Sequence, residues 1–372
     1  MGTFMKGAPL SKADIAADGT PFILYGELYT TYSEVAYEIQ RKTDKEVEPQ
    51  FYSRVGDVIM PTSGETPEDI ATATCVMTPN VILAGDLLIY RTTAVDGRII
   101  SYAIKNKVNK QIASVAQGKS VVHVRAEELG KVVINYPSKA EQEKIITMLA
   151  LLEKKLVLQK RIIEALKKYK RGLVSSILSE KIKISDEPWE ECTIGDFLTS
   201  KSIKQLPTAE APLMAFTATG GVCDKGERYD RGFLVKDAST KLYKRTDYGD
   251  FIYSSNNLDV GSIGLNLYGS AVISDVYEIF SINGADPWFI SEVIQQKHVM
   301  RDILKYRQGC LYGQYRIYAE DFLSVKIRIP SFPLQSQIGA LISQVESKIL
   351  AEQGLLDNLE KCKTALLQIM FI

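Results

Sequence analysis

The sequence has few of the residues that build metal, disulfide or catalytic sites. Its five cysteines are scattered, with no CxxC pair. This argues against a disulfide framework or a zinc site and favours a reducing compartment. The two histidines, His123 and His298, lie far apart and have no acidic partner at motif spacing. We therefore expect neither a histidine-dependent metal site nor a Ser-His-Asp site.

Long apolar runs and net charge are also missing. No apolar run reaches about 18 residues, and the first residues are not a basic-then-apolar leader, so we expect a cytoplasmic protein without a membrane partner. The 45 Lys and Arg balance the 45 Asp and Glu, which speaks against a simple electrostatic clamp on a polyanion. The hydrophobic content of 45% is ordinary for a globular protein. The length of 372 residues allows two or three domains.

Two enzyme motifs are present only in part. Gly118-Lys119-Ser120 is similar to the end of a P-loop, but Ala113 stands where the first glycine belongs, so the phosphate cradle is missing. Asp286-Pro287-Trp288-Phe289 is similar to the motif with which amino-methyltransferases hold a flipped base, but it lacks the second proline. No glycine-rich cofactor loop precedes it. We expect a turn into a helix here, and no catalytic residue anywhere in the chain.

What the sequence does contain is an internal repeat. A shift of 193 positions superimposes residues 126–178 on 319–371 without a gap, and 14 of these 53 pairs are identical. Earlier landmarks return at the same offset. Ile194-Gly-Asp-Phe falls on Met1-Gly-Thr-Phe, and Tyr248-Gly-Asp-Phe-Ile falls on Val55-Gly-Asp-Val-Ile. Two copies of one structural unit are therefore expected.

The end of each copy has the pattern of a long helix with a coiled-coil seam. Apolar residues alternate in steps of four and three, the 3.5-residue spacing of such a seam. Two polar residues interrupt each seam at equivalent places, Gln159 and Lys170 in the first and Glu352 and Lys363 in the second. Two ordinary long core helices are the alternative. The predicted seam residues are Ile145, Leu149, Leu152, Leu156, Ile163, Leu166, Leu173 and Ile177 in the first helix and Ile338, Ile342, Val345, Ile349, Leu356, Leu359, Leu366 and Met370 in the second.

The two predicted helices differ in their ends and in their charge. Ser138 and Glu141 have the spacing of a capping box, whereas the second helix has Leu334 in place of the glutamate and Pro333 in its first turn. Residues 139–183 hold twelve Lys or Arg against five Glu, a net of +7; residues 332–372 hold three against four, a net of −1. A basic helix is usually a solvated face, and it also leaves contact with nucleic acid or an acidic partner open.

The globular parts have the pattern of α+β domains with short strands. Residues 54–64 and 80–93 each predict a strand after a Gly-Asp turn, and residues 118–137 predict a strand containing His123, a short helix at AEEL and a second strand. Residues 181–197 are predicted to be a linker. The expected fold is α+β, with two pseudosymmetric domains separated by two long helices that form an antiparallel coiled coil. The expected boundaries are 1–137, 138–180, 181–330 and 331–372.

Between the repeated landmarks the two halves diverge, which indicates two recognition surfaces with different targets. Polar and basic residues beside glycine-rich turns are candidates for DNA contact, because Arg and Lys suit guanine edges or phosphates and Asn and Gln suit adenine. For any single one, a solvated loop residue is the competing interpretation. The candidates are Thr62, Ser63, Arg91, Thr92, Lys105, Lys107, Lys110, Gln117 and Lys119 in the first half and Lys225, Arg228, Arg231, Ser255, Asn256, Asn257, Gln308, Tyr312, Gln314 and Arg316 in the second.

Over its whole length the chain resembles the specificity subunits of type I restriction–modification systems. The resemblance depends on the AEEL/AEDF…Pro-Ser…Gln…Ile run into each helix, on the Gly-Asp strands, and on the helix endings KYKRGLVSSIL and KCKTALLQIMF. It implies two target recognition domains that read the two parts of a bipartite double-stranded DNA site. The antiparallel coiled coil would then fix the gap between the half-sites.

The resemblance also implies partners. Such a subunit has no catalysis and no cofactor of its own; it docks two methylation subunits, which use S-adenosylmethionine, and restriction subunits join the full complex. Two other hypotheses remain open on the residues alone. One is a coiled-coil scaffold that joins two protein-binding domains without DNA recognition. The other, disfavoured by the missing cofactor loop, is a stand-alone modification enzyme.

Overall fold

The computed structural model describes residues 2–116, 122–218, 220–224, 241–256, 258–311 and 314–370. Their contacts divide the chain into two compact units. Unit 1 comprises Met1–Lys160 together with Gly354–Ile372, and unit 2 comprises Arg161–Gln353. Each long helix therefore contributes one part to each unit.

Unit 1 is built from short strands and short helices around the first part of one long helix. Its strands are β1 (Gly2–Lys6), β2 (Thr20–Leu24), β3 (Val35–Ala36), β4 (Lys42–Thr43), β5 (Asp57–Pro61), β6 (Ser63–Gly64), β7 (Thr74–Val76), β8 (Ile82–Ala84), β9 (Leu87–Thr92) and β10 (Val122–His123). Its helices are α1 (Glu27–Thr30), α2 (Pro67–Ile70), α3 (Gly97–Asn106), α4 (Asn109–Val115), α5 (Ala126–Leu129) and the first part of α6 (Lys139–Leu178).

Unit 2 repeats this plan with different loops. Its strands are β11 (Glu190–Thr193), β12 (Leu198–Lys201), β13 (Lys204–Gln205), β14 (Ala215–Thr217), β15 (Gly221–Cys223), β16 (Tyr243–Thr246), β17 (Phe251–Ser254), β18 (Ile263–Leu265), β19 (Ala271–Ile273), β20 (Tyr277–Ile282), β21 (Gln308–Leu311), β22 (Gln314–Arg316) and β23 (Lys326–Ile329). Its helices are α7 (Pro287–Ile294), α8 (Lys297–Leu304), α9 (Ala319–Leu323) and the first part of α10 (Phe332–Met370).

The repeat in the sequence is a repeat in the sheets. In unit 1 the antiparallel strands β1-β9-β5 form one side of the five-stranded main sheet, with β1 at its edge. In unit 2 the strands β12-β20-β17 take the corresponding places in a four-stranded sheet. Both sheets pack their buried faces on the helix that follows the last strand, α3 or α7. In unit 2 the core is aromatic: the Tyr253 and Phe322 rings stack at 4.4 Å, and Phe280 lies 5.6 Å from Phe322.

The structure confirms most of the expected local elements. Strands β5 and β9 follow the two Gly-Asp turns, and Gly56 and Gly85 take the positive φ values (92° and 69°) that glycine adopts without strain. The AEEL sequence forms α5, His123 lies in β10, and Pro287 begins α7. The expected strand after α5 is wrong: residues 132–138 form no strand. The predicted linker, in turn, contains strand β11, which pairs with β23.

The two long helices run antiparallel wherever they pack within a unit. In unit 1, Ile146 and Leu149 near the start of α6 share a core with Leu367 near the end of α10. In unit 2, Ile177 near the end of α6 shares a core with Ile338 near the start of α10. Every predicted seam position is buried or half-buried in the described structure. At about 1.5 Å per residue, the 40 residues of α6 extend roughly 60 Å.

The starts of the two helices are capped by different glutamates. Ser138 donates from its backbone nitrogen to Glu141 Oε2 at 2.9 Å, as the capping box predicts. Ser331 has no such partner in its own helix, and it donates instead to Glu187 in the segment before β11, from its nitrogen at 2.7 Å and its hydroxyl at 3.0 Å. One repeat therefore caps its helix locally and the other caps it across 144 residues.

The described residues can be compared with two expectations, that the chain has no disulfide framework and that it has no membrane-spanning helix. Cys75, Cys192, Cys223 and Cys362 are free thiols, and burial raises the pKa of the Cys75 thiol to about 12. Among the helices that the structure describes, none is long and apolar enough to cross a membrane.

Candidate nucleic-acid interface

In both units a buried glutamine ties the long helix to the rest of the fold. Gln142 on α6 accepts from the Asp96 backbone nitrogen at 3.0 Å and donates to the Pro137 carbonyl at 2.9 Å. Gln335, its repeat partner on α10, makes the same two bonds to Asp286 and Pro330, at 3.3 and 2.8 Å. Asp96 and Asp286 are the N-caps of α3 and α7. The repeated Pro-Ser…Gln motif is thus a joint between a long helix and the cap of a domain helix.

The lysines that interrupt the seams form a second repeated feature. Lys363 lies on α10 and bridges Glu153 on α6 and Glu34 of the globular part of unit 1, the latter at 3.0 Å. Lys170 on α6 bridges Glu346 on α10 at 2.9 Å and Glu292 on α7 at 2.6 Å. Lys170 with Glu346 and Lys363 with Glu153 are related by the 193-residue offset. Each seam lysine therefore joins the helix pair to its domain.

Electrostatics at the two lysine clusters favour the charged forms. Burial opposes the charge on Glu34, but Lys363 and Lys105 outweigh it, so the pKa of the Glu34 carboxyl is lowered. Burial also opposes the charge on Lys363 and on Lys170, and their carboxylate partners outweigh it, so the pKa of each ammonium is raised. Both clusters are therefore ion-paired at neutral pH.

A third repeated feature is a backbone bridge that carries different polar side chains in the two units. In unit 1, Ser63 pairs with His123 across β6 and β10. In unit 2, Asn256 pairs with Arg316 in an antiparallel bridge. These four positions coincide under the 193-residue offset. We call the two bridges the paired polar positions. In unit 1 Ser63 is buried and His123 is exposed, and in unit 2 Asn256 is half-buried and Arg316 is exposed.

In unit 1 His123 lines a large open cleft. Its volume is about 1420 Å³, and its rim carries Lys6, Lys12, His123 and Arg125, all of them exposed. Arg41 also lines the cleft but is paired with Glu27 at 3.1 Å. Exposed cations beside a concave surface can hold phosphate groups, and a histidine can hydrogen-bond a base edge.

In unit 2 Arg316 lies on β22, and two exposed tyrosines, Tyr315 and Tyr318, flank it in the sequence. The Arg316 guanidinium lies 4.9 Å from the Tyr318 ring centre, and Arg307 lies 5.4 Å from the Tyr315 ring centre. Arg316 also contacts Glu278 at 3.4 Å, and its side chain remains 47% exposed. Gln308, paired with Arg316 in the ladder, donates to Asp321 at 2.7 Å. The hairpin thus presents Arg, Gln and aromatic groups together.

The other predicted residues are placed less uniformly. Arg91 is held inside unit 1, where Nε lies 3.2 Å from Asp57 and Nη2 donates to the Tyr52 carbonyl at 2.7 Å. Lys105 pairs with Glu34 at 3.1 Å. Thr62, Thr92 and Ser255 donate through their hydroxyls to the backbone carbonyls of Asp86, Val95 and Val276. Lys107 is half-buried and Lys110 is exposed on the α3–α4 segment.

Seven of the candidates lie outside the residues that the structure describes, namely Gln117, Lys119, Lys225, Arg228, Arg231, Asn257 and Tyr312. For Gln314 the backbone is described as part of β22. Sequence reasoning missed His123, Arg125, Arg307, Tyr315 and Tyr318. The repeat offset could have found His123, since it is the counterpart of the candidate Arg316.

Comparisons with known proteins find a curated relative and solved structures that are similar to this chain. No family model matches the chain. The type I restriction enzyme MjaIX specificity subunit of Methanocaldococcus jannaschii is 23% identical over 290 residues, which are 72% of this chain and 66% of that protein, just under two thirds. The crystal structure of the type I restriction–modification S subunit from M. genitalium superposes with a TM-score of 0.64 at 16% identity, covering 100% of this chain and 94% of the other. This chain has the fold of a type I specificity subunit.

A second solved structure agrees over most of the length but superposes less well. The HsdS subunit from Thermoanaerobacter tengcongensis covers 92% of this chain and 88% of its own, with a TM-score of 0.40 at 15% identity. The superposition on the M. genitalium structure and the similarity to the M. jannaschii protein confirm the expected resemblance to specificity subunits of type I systems and the α+β fold with two long helices.

Proposed function

We propose that this chain is the DNA-specificity subunit of a type I restriction–modification enzyme and that each unit reads one half of a bipartite site. The observation that carries the proposal is the set of paired polar positions. One backbone bridge recurs in both units, but it carries the exposed His123 opposite buried Ser63 in one and the exposed Arg316 opposite half-buried Asn256 in the other. A backbone arrangement that is the same in both units but carries different polar side chains is suited to reading two different half-sites.

The chemistry of the two surfaces supports a DNA target. Arg316 can make two hydrogen bonds to guanine, and the exposed tyrosines beside it offer flat apolar contact with sugars or bases. Zero net charge means that few phosphates are neutralised by this chain alone. Binding by the isolated chain is therefore weak and depends only modestly on salt concentration, and partner subunits supply much of the affinity.

Exposed apolar side chains on α6 support a docking role for the methylation subunits. Met148, Leu151, Leu158, Ile162 and Tyr169 are 37%, 64%, 47%, 44% and 58% exposed and follow steps of three, seven, four and seven residues. This heptad spacing lies beside the intramolecular seam and is suited to a partner helix. The methyl donor, S-adenosylmethionine, is then bound by those partners.

A methylome tests the function. The chain is co-expressed with its methylation subunit in a host without other modification, and methylated adenines are mapped by single-molecule sequencing. A split motif with a fixed gap, lost when this chain is omitted, supports the proposal. Methylation that does not depend on the chain, despite a stable complex, contradicts it and favours the scaffold without DNA recognition.

The role of the helices has its own test. Inserting seven residues into both α6 and α10 keeps the seam in phase. We expect a longer gap with both half-sites unchanged. An unchanged gap in a folded, active complex contradicts the role of the helices as a spacer.

Docking is tested by charge insertion. Leu151→Glu and Leu158→Glu are expected to abolish co-purification with the methylation subunit, whereas Val157→Glu is the matched control, because Val157 is equally exposed at 47% but lies off the heptad stripe. Equal loss in all three variants contradicts the docking face.

A further inference from the structure

Two hydrogen bonds fix the backbone of unit 2 next to Arg316. The nitrogen of Ile317 donates to the Ser255 carbonyl at 2.9 Å, and the Tyr253 hydroxyl donates to the Ile317 carbonyl at 3.1 Å. Both Ile317 and Tyr253 are buried. The backbone of Arg316 therefore has a defined place, and only the rotamers of its long side chain remain to be set.

A carboxylate on β20 sets the direction of the Arg316 side chain. Nη2 of Arg316 lies 3.4 Å from Glu278 Oε1, and the guanidinium lies 4.9 Å from the centre of the Tyr318 ring. The other carboxylate oxygen, Oε2, accepts from Lys244 Nζ at 2.8 Å, and Lys244 also donates to the Tyr277 carbonyl at 2.7 Å. Because Lys244 holds one oxygen of the carboxylate, the other stays directed at the arginine.

The charges of this cluster leave Arg316 available to an anionic ligand. The Glu278 and Lys244 side chains are only 14% and 11% exposed, whereas the Arg316 side chain is 47% exposed. At 2.8 Å the buried pair neutralises itself, and the 3.4 Å contact with Arg316 is the weaker of the two. Glu278 can thus orient the guanidinium without cancelling its charge.

Unit 1 has no acid at the equivalent place. In the main sheet of unit 2, Tyr253 lies opposite Glu278; in unit 1 Met60, the repeat partner of that tyrosine, lies opposite Leu88. Leu88 and His123 both line the cleft of unit 1. A histidine side chain is short and rigid, whereas an arginine side chain is long and loses much rotamer freedom when it is ordered. The carboxylate therefore occurs in the unit whose exposed bridge residue is an arginine.

We propose that Glu278, held by Lys244, is a positioning residue that orients the Arg316 guanidinium towards one base pair of the half-site read by unit 2. This inference rests on the proposed function, because it assigns the origin of sequence discrimination at that half-site. An unrestrained arginine can contact phosphates or neighbouring base pairs, and phosphate contacts carry no sequence information. A preoriented guanidinium favours two parallel hydrogen bonds to one guanine.

The test measures discrimination by the complex of the full chain with its methylation subunits. The substrates are a duplex with the site found in the methylome and duplexes in which one base pair of either half-site is changed. Glu278→Gln keeps the size of the side chain and removes its charge. We expect the ratio of kcat/KM between the preferred and the changed duplex to fall roughly tenfold at one base pair of one half-site. Binding to an unrelated duplex should not weaken, because a negative charge is removed.

The control and a second variant guard against other effects of the substitution. Asp275→Asn removes the charge of an exposed carboxylate that pairs with Lys204 at 3.2 Å, and it should leave the ratio unchanged. Replacing the buried pair together, by Glu278→Met and Lys244→Met, keeps the net charge, and folded proteins tolerate such exchanges. This double replacement should lower the ratio as Glu278→Gln does, and it decides the question if Glu278→Gln does not fold.

A double-variant cycle separates positioning from a merely structural role. Glu278→Gln added to Arg316→Ala should lower the ratio no further, because the group that it orients is gone. A further loss in that background overturns the positioning role, as does an equal loss in Asp275→Asn.

The remaining outcomes distinguish this proposal from the proposed function. If the wild-type complex discriminates, Arg316→Ala loses discrimination and neither variant of Glu278 does, the positioning role is overturned and the proposed function stands. If Arg316→Ala keeps full discrimination, Arg316 is not a reader and the positioning role falls with it. A wild-type complex that discriminates at neither half-site overturns the proposed function and this inference together.

Discussion

The two units share their joints and differ in their surfaces. Gln142 and Gln335 make the same pair of hydrogen bonds, and Lys363 and Lys170 take equivalent places in the seam. The bridge between Ser63 and His123 matches that between Asn256 and Arg316 in backbone only. Polar residues buried at the joints are therefore constrained by geometry, whereas polar residues on the bridges are free to differ. This is the division expected of a duplicated frame with two recognition surfaces.

Replacing a seam lysine should lower the free energy of unfolding more than any other change considered, and the loss should differ between the two units. Lys363→Met removes the cation that lies between Glu153 and Glu34, so that Glu34, whose side chain is 5% exposed, keeps only Lys105. The carboxylates around Lys170 are 19% and 20% exposed. We expect Lys363→Met to lower the free energy of unfolding by about 3–5 kcal/mol, and Lys170→Met to lower it less. The loss in each unit is measured by urea unfolding, monitored through hydrogen exchange in peptides from that unit. Equal losses would contradict the difference in burial.

Lowering the pH should reduce the loss of stability caused by Lys363→Met. The pKa of the Glu34 carboxyl is lowered from 4.5 by Lys363 and Lys105 against the effect of burial. Its contribution to stability is therefore present above pH 4.5 and is lost as the pH falls through its lowered pKa. In Lys363→Met the carboxyl is buried without that partner, so protonation relieves the variant. The stability gap between wild type and Lys363→Met should narrow below about pH 4.5; a gap that widens there would be contrary evidence.

A glycine marks a contact that only unit 2 has. A Cβ added to Gly339 on α10 would lie 1.9 Å from Asp286 Oδ1, the cap that accepts from Phe289 N, so one of them must move. The equivalent residue in unit 1 is Ile146. We expect Gly339→Ala to destabilise unit 2 by about 2–3 kcal/mol. Gly172→Ala and Gly354→Ala, which meet nothing within 4 Å, are matched controls. They should stabilise their helices by up to about 1 kcal/mol. Thermal unfolding of the three variants decides.

Changes at the paired polar positions should separate the two half-sites. Arg316→Ala should cost about 1–3 kcal/mol of discrimination at one base pair, so that methylation of the preferred site falls roughly five- to 150-fold. The sequence preference should relax in one half-site. His123→Ala should act on the other half-site, more weakly, because a single neutral hydrogen bond is lost. Methylomes of complexes containing each variant report both effects. Lys297→Ala, which removes an exposed cation of α8 that is not a candidate for DNA contact, is the control. If both variants relaxed the sequence preference in the same half-site, the proposal that each unit reads one half-site would be contradicted.

The sequence predicts the long helices and the starts of the main strands well, because heptad periodicity and glycines at turns mark them. Heptad spacing marks the helices, Gly56 and Gly85 mark the strand starts, and the Pro-Ser…Gln motif marks the joints. Pairings between distant residues leave no local pattern. Strand β11 lies in a charged segment with a proline and is ordered by β23, 135 residues away, and residues 132–136 have strand-forming side chains without the pairing. Sequence likewise could not show that Arg91, a candidate reader, is held by Asp57.

The caps of the long helices give the smallest and most local comparison. Ser331 depends on Glu187, which is half-buried and lies outside α10, whereas Ser138 depends on Glu141 in its own helix. Glu187→Ala should cost about 1 kcal/mol and loosen the Asp186–Trp189 segment as well, because its contact spans two elements. Glu141→Ala should fray the first turn of α6 and leave the rest of unit 1 unchanged, since its bond closes within one turn. Hydrogen exchange at residues 184–193 and 138–142 distinguishes the two results. Faster exchange at 184–193 in Glu187→Ala, without a matching change around α6 in Glu141→Ala, shows that the long-range cap orders the segment that carries β11.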